Sequence, residues 1–195
     1  MTAESLSTYG GDTTQGGVMT EQKPIINFHV EVKTDVSPDD LYAELADVNT
    51  HLTWAGTQAP YKGFRLLDMD APAGQATVGT TWKSDGANSG NGSMIFHDRS
   101  TVVQAEPGKA FGFDTESTLE RKSGKTWFCH FEHRYTIRPA EGGSIIVYDG
   151  RVFPKNYRPY WLFPAMRPMT RFMVHRAHTK HMQNLARLTA DADAR

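Results

Sequence analysis

The stretch TWFCHFEHRYTI, residues 126 to 137, carries two side chains of the types that move protons and steer oxygens, His133 and Tyr135. An imidazole exchanges a proton near neutral pH, and a phenol donates to or polarises a carbonyl oxygen. Two residues apart in a strand, they share one face at about 7 Å spacing. Together they are candidate catalytic residues for a proton-transfer step, one group exchanging a proton and the other holding a ligand oxygen. The plainer alternative is that His133 bonds a neighbour and Tyr135 is ordinary core, since buried polar groups are satisfied somewhere.

Other reactive types give weaker patterns. In HRAHTKH, helical spacing puts His181 within an apolar stripe, His178 at its margin and His175 on the wet side. Such a trio fans around the helix instead of converging, so no metal site is expected. His181 is a candidate for facing a cavity. Cys129 shares the inward row of its strand with no base beside it, and reads as a small hydrophobe. Asp149 and Arg151 share one face of the last strand, opposite Ile146, Tyr148 and Val152, which places the charged pair outside. The glycines of GANSGNG are followed by no Lys-Ser/Thr and read as a turn.

The elements that position these residues follow from periodicity. Alternation in residues 126 to 137 puts Trp127, Cys129, Phe131, His133, Tyr135 and Ile137 on a buried row, and Phe128, His130, Glu132, Arg134 and Thr136 on a wet one. Residues 25 to 34 repeat the pattern, with Ile26, Phe28, Val30 and Val32 on one face. In DVSPDDLYAEL, Ser37 is an N-cap, Pro38 the first helical residue, and Asp39 and Asp40 acidic first-turn residues. DVNTHLTWAG reads as a second short helix. Strands follow at YKGFRLLDM, ATVGTTWKS, SMIFHDRSTVVQAE, AFGFDTESTL, TWFCHFEHRYTI and SIIVYDGRVF, joined by turns such as EPGK. The prolines of PKNYRPYWLFPAMRP delay a helix until about Pro168. A long helix then carries Met166, Met169, Met173, Val174, Ala177, Leu185 and Leu188 on one apolar face.

Strand, two short helices, six strands and a long helix make an α+β domain, a seven-stranded antiparallel sheet curved around the C-terminal helix. Large side chains on both walls can leave a hollow for a small molecule. The expected lining is Trp54 and Trp82, then Phe111 and Phe113 on the AFGF strand. Trp127, Cys129 and Phe131 follow on the next strand, and Tyr148 on the last. The helix adds Met173, Ala177 and His181.

Bulk properties narrow the partners. The chain has 195 residues, 21 basic and 22 acidic side chains, and a net charge of −1. That balance gives no basic excess for nucleic acid or an anionic membrane. No apolar run reaches the roughly 18 residues of a membrane span. A single cysteine allows no internal disulfide and fits a cytoplasmic location. Residues 1–23 are polar and Gly/Ser/Thr-rich and read as a disordered leader, with Met19 an alternative start. Residues 24–190 form one domain, and residues 191–195 read as a frayed tail.

Three stretches carry a resemblance. VSPDDLYAELADVNTHLTW is similar to the opening helices, VVQAEPGKAFGF to the strand-turn-strand signature, and HMQNLARL to the end of the closing helix of the helix-grip superfamily. That superfamily comprises START-like and polyketide cyclase/dehydrase-like domains (SRPBCC, Bet v 1-like). The resemblance implies a largely apolar cavity between sheet and helix for a lipid, sterol, quinone or aromatic polyketide, with no cofactor. Some relatives are cofactor-free cyclases or dehydratases, and many are only carriers or sensors. Three readings follow: a binder of a small hydrophobic molecule, a cyclase/dehydratase using His133 and Tyr135, or a partner-binding module. In the third, the aromatic connector 157–163 docks another protein or a second copy of the chain as a homodimer.

Overall fold

The computed structural model describes residues 23–56, 65–87, 94–155 and 163–193, with side chains from 168 onward in the last segment except at 169, 170, 173, 192 and 193. Seven strands form one sheet: β1 (Ile26–Thr34), β2 (Arg65–Asp70), β3 (Thr81–Ala87), β4 (Met94–Glu106), β5 (Ala110–Arg121), β6 (Thr126–Ala140) and β7 (Gly143–Pro154). Their order is β1-β7-β6-β5-β4-β3-β2, with every neighbouring pair antiparallel. From β2 to β7 this is a meander, and β1 closes against the last strand. Since β1 and β2 are opposite edges, the chain between them must cross one face of the sheet. It does so through α1 (Pro38–Ala46), a 3-10 turn (Val48–Thr50) and α2 (His51–Trp54).

Helix α1 starts where its cap chemistry places it. The Ser37 hydroxyl accepts from the Asp40 amide at 3.2 Å, Pro38 occupies the first turn, and Asp39 and Asp40 stand at the positive end of the helix dipole. Helix α3 (Phe163–Asp193) closes the fold. Its start corrects the expectation of a helix only from Pro168. Pro164 sits in the first turn, where amides lack an internal partner in any case, and Pro168 forfeits a single bond to the carbonyl four residues back. The helix also continues to Asp193, into the segment expected to be tail.

One strand boundary moved as well. ATVGTTWKS is not strand throughout: Thr77–Thr80 turns, with the Thr80 amide donating to the Thr77 carbonyl at 2.9 Å and Gly79 at φ +90°, so β3 begins at Thr81. Between β4 and β5, Gly108 takes φ +67°, as the EPGK turn requires. The leader and the connector 157–162 lie outside the described residues, as does the Met173 side chain.

Helix α3 lies against the concave face. Its Met182 and Leu185 are fully buried in one cluster with Val30, Tyr135, Ile137, Ile146 and Tyr148 of the sheet, and with Leu41 and Leu45 of α1. Each such leucine contributes about 1.5–3 kcal/mol by leaving water. The last turns of α3 reach Lys33–Asp35 and the β6–β7 turn at Glu141–Gly142, where they border a surface groove of about 650 Å³. That end of the grip is closed by packing.

Candidate functional site

Alternation in β6 is clear from Tyr135 to Ile137 and around Cys129, and blurred from His130 to Arg134, all partly buried. Cys129, Tyr135 and Ile137 are buried, while Phe128 is 45% exposed on the outer face. That outer face is laced with polar contacts: Arg151 pairs with Glu132 at 2.8 Å and Arg134 with Asp114 at 2.7 Å, while His130 and His29 hydrogen-bond Glu116 at 3.0 Å and Asp149 at 2.7 Å. Asp149 and Arg151 therefore stand outside, as the pattern of β7 predicts.

The inner face is aromatic. Register places Phe113 opposite His133 and Phe111 opposite Tyr135, then Tyr135 opposite Tyr148 and His133 opposite Gly150. The rings follow this register: Phe113 stacks on His133 at 4.5 Å and Tyr135 on Tyr148 at 4.7 Å. Trp82 meets Phe113 edge-on at 5.0 Å, and Trp54 lies 4.6 Å from the His51 ring. Gly150 is glycine for a steric reason. A Cβ there would lie 2.1 Å from the Phe28 ring, which crosses β7 at this point. Phe28 in turn stacks at 4.7 Å on His178 of α3.

His133 and Tyr135 share this face, but the partner of His133 is Tyr148. Its Nδ1 and the Tyr148 hydroxyl share a hydrogen bond of 2.6 Å. Burial first, and the Arg134 charge second, push the His133 pKa down to about 3. Burial drives both phenols up, Tyr148 further through the neighbouring Tyr135 and Asp149. The pair is a neutral imidazole joined to a neutral phenol.

Two more histidines join them. His178 is half-buried at the margin of the helix face, as helical spacing indicates, with its ring 4.7 Å from Tyr148; burial with the neighbouring His181 and His133 holds its pKa well below the usual value. His175 is exposed and His181 buried, as helical spacing indicates. His51, which periodicity does not single out, is buried in α2. Its Nε2 donates to the Leu45 carbonyl at 2.9 Å, and burial lowers its pKa to about 4. No group of three or more metal-ligating side chains converges among the described residues.

The remaining expected lining residues divide by position. Ala177 is buried on the inner side of α3. Trp127 is only partly buried, with the Arg121 guanidinium 5.3 Å from its ring centre. Cys129 is buried, and burial together with nearby Asp98 pushes its thiol pKa up to about 11, the opposite of nucleophile activation. Along β6 the inner row is unevenly covered, with Ile137, Tyr135 and Cys129 buried and Phe131 and Trp127 partly exposed. A groove of about 410 Å³ runs past Phe28 and Gly150 to Arg171 on α3.

Sequence periodicity also misses Asp98. It lies on the concave side of β4 in line with buried Ser100, between Ser84 and Ser117 in register. Burial raises its pKa to about 6; the Ser117 hydroxyl pulls it down in part without making a bond of ordinary geometry. Asp98 Oδ1, Ser117 Oγ and Trp54 Nε1 are buried without a hydrogen-bond partner among the described residues.

No family model matches the sequence, and no curated protein does. Solved structures do. An uncharacterized protein from Rhizobium leguminosarum is 12% identical with a TM-score of 0.60, over 85% of this chain and 95% of that one. A protein from Chromobacterium violaceum is 15% identical with a TM-score of 0.55, over 84% and 96%. Ara h 8.0201 is 15% identical with a TM-score of 0.53, over 85% and 98%. At such identities the likeness is one of architecture, and the chain has the Bet v 1-like helix-grip α+β fold.

Proposed function

We propose that the protein binds a small hydrophobic molecule between the concave face and α3, toward the end of β6 that carries Phe131 and Trp127. The observation that carries this reading is the mixed character of the wall. Stacked rings from β5, β6 and β7 share the interior with buried polar atoms, Asp98 Oδ1, Ser117 Oγ and Trp54 Nε1, that have no hydrogen bond of ordinary geometry among the described residues. Rings supply area for an apolar body, and a few unsatisfied polar atoms fix its orientation. The opposite end of the grip is filled by Leu41, Leu45, Ile146, Met182 and Leu185. The backbone of α3 approaches β1, α1 and α2 most closely, an arrangement that leaves side chains to span the distance to the central strands. In this reading Phe113, Phe131, Trp82 and the His133–Tyr148 pair form the wall.

A cofactor-free cyclase or dehydratase built on His133 and Tyr135 is the second reading; the two share the inner face, but His133 Nδ1 is bonded to Tyr148 at 2.6 Å. Its weakness is basicity. An imidazole with a pKa of about 3 is a poor acceptor for a carbon-bound proton. The same pair suits holding a ligand oxygen. The partner-docking reading rests on a connector outside the described residues.

Native mass spectrometry of the protein as purified, followed by titration with the apolar fluorophore 1-anilinonaphthalene-8-sulfonate, tests the proposal. A co-purifying small molecule, or a saturable signal lost on adding an apolar competitor, supports it. No bound molecule and no saturable signal would overturn it.

A further inference from the structure

The outer face pairs its carboxylates: Asp114 with Arg134, Glu116 with Lys155, Glu132 with Arg151, and Asp85 with His97. Asp98 is different. It faces the interior from the middle of β4, and among the described residues it has no ion-pair partner. Its Oδ1 is buried without a hydrogen bond of ordinary geometry, and the Ser117 hydroxyl directly across the strand pair is near enough to act as a weak donor to it. Ser84 flanks it on β3. Adjacent His97 is turned to the outer face and held by Asp85 at 2.8 Å. Cys129, close enough to feel the charge, remains a neutral thiol. The histidines of the wall are neutral too.

A carboxylate withdrawn from water needs a cation or several donors to hold its charge. With its pKa at about 6, Asp98 is anionic in roughly nine molecules of ten at pH 7. The described part of the chain sets hydroxyls beside it, and the basic neighbour that lowers its pKa, His97, is turned to the outer face against Asp85.

Building on the apolar-ligand reading above, we infer that Asp98, flanked by the Ser84 and Ser117 hydroxyls, receives the protonated amine head of a ligand whose apolar body lies along the aromatic wall. An ammonium group has three N–H donors in a compact head. One meets Asp98 Oδ1 as a charge-assisted bond, and another suits Ser117 Oγ. The register leads from Asp98 and Ser117 to Cys129 and Pro154, and one inward step further to Phe131 and Val152. A hydrocarbon body extending from the head would run toward Phe113 and His133.

Calorimetric titration of the full chain with octylamine, octan-1-ol and octanoate at pH 7.5 compares one tail under three heads. The expected order is octylamine tightest, octanol weaker by about tenfold, and octanoate weakest. In Asp98→Asn, octylamine should bind within about threefold of octanol measured on the same variant. Equal affinity for amine and alcohol, or an amine preference that survives in Asp98→Asn, would overturn the amine subsite and leave the apolar-ligand reading standing. If none of the three probes nor the anilinonaphthalene fluorophore binds, both fall. Should Asp98→Asn fail to fold, the ranking on the unaltered chain decides by itself.

Discussion

Tyr148 has no exposed surface, and its hydroxyl is the partner of His133 Nδ1. Tyr148→Phe keeps the ring and its stack on Tyr135 while leaving that nitrogen unpaired, so a loss of about 1–3 kcal/mol in urea unfolding is expected. Tyr135→Phe, which removes a hydroxyl not bonded to His133, should cost less. Equal losses would show that the bond contributes nothing particular. Asp98 predicts the opposite sign. Its folded pKa of about 6 lies above its ordinary value of 3.8. The folded state therefore holds a proton longer than the unfolded one, and stability falls as pH rises from about 4 to 6 and stays lower above that. Asp98→Asn should accordingly stabilise the unliganded protein by about 1–2 kcal/mol at pH 7.5 and not at pH 4, measured by urea midpoints at both pH values. At this scale the sequence was half legible. His133 could be placed because the pairing register of β6 runs without interruption. Asp98 could not, because Ile95 and Val103 compete with Phe96 and Val102 for the inner row of β4. The irregularity between Val102 and Gln104 then reverses parity, leaving Val103 exposed and Ala105 packed inward.

Helix α3 brings His178 and His181 against the wall, while His51 comes from α2. Burial depresses the pKa of His51 to about 4 and of His133 to about 3, with His178 well below its usual value. For a base the sign runs against acid. The unfolded chain takes up protons near pH 6.5 that the folded one refuses, so this stability is full above pH 6.5 and drains as pH falls toward the folded pKa values. The combined slope for three such groups is up to about 4 kcal/mol per pH unit, partly offset by Asp98 between pH 4 and 6. Acid unfolding followed by near-ultraviolet circular dichroism should show a steep transition between about pH 6 and 4. His178→Phe should move it to lower pH, while exposed His175→Phe should not. The element itself was legible in position and faces, through Ala177, Leu185 and the buried His181. Its start was not, because Pro164 in the first turn costs a helix little while Pro168, inside it, is a residue that sequence reads as a barrier. Helical spacing also places His178 at the margin of the buried face, where it is half-buried and stacks on Phe28 as that ring crosses Gly150.

Across the whole molecule, the two ends of the grip differ in what fills them. The α+β order and strand succession follow from turn residues and two-residue periodicity, and these fix which residues face inward. They do not fix how far the helix stands from the sheet, which depends on side-chain volumes meeting in three dimensions, so the packed end and the looser end read alike in sequence. The difference is testable by truncation. Leu185→Ala removes a side chain with no exposed surface from the closed end, and should cost about 2–5 kcal/mol in urea unfolding. Binding of the anilinonaphthalene fluorophore by the folded fraction should change little. Phe131→Ala acts on a partly exposed ring at the other end. It should cost less stability, about 1–2 kcal/mol, and yet weaken fluorophore binding by about tenfold. Stability and binding should thus separate along the length of β6. If Phe131→Ala weakens binding no more than Leu185→Ala, the apolar site does not lie at the Phe131 end, and its place must be sought along the groove past Phe28 and Arg171 instead.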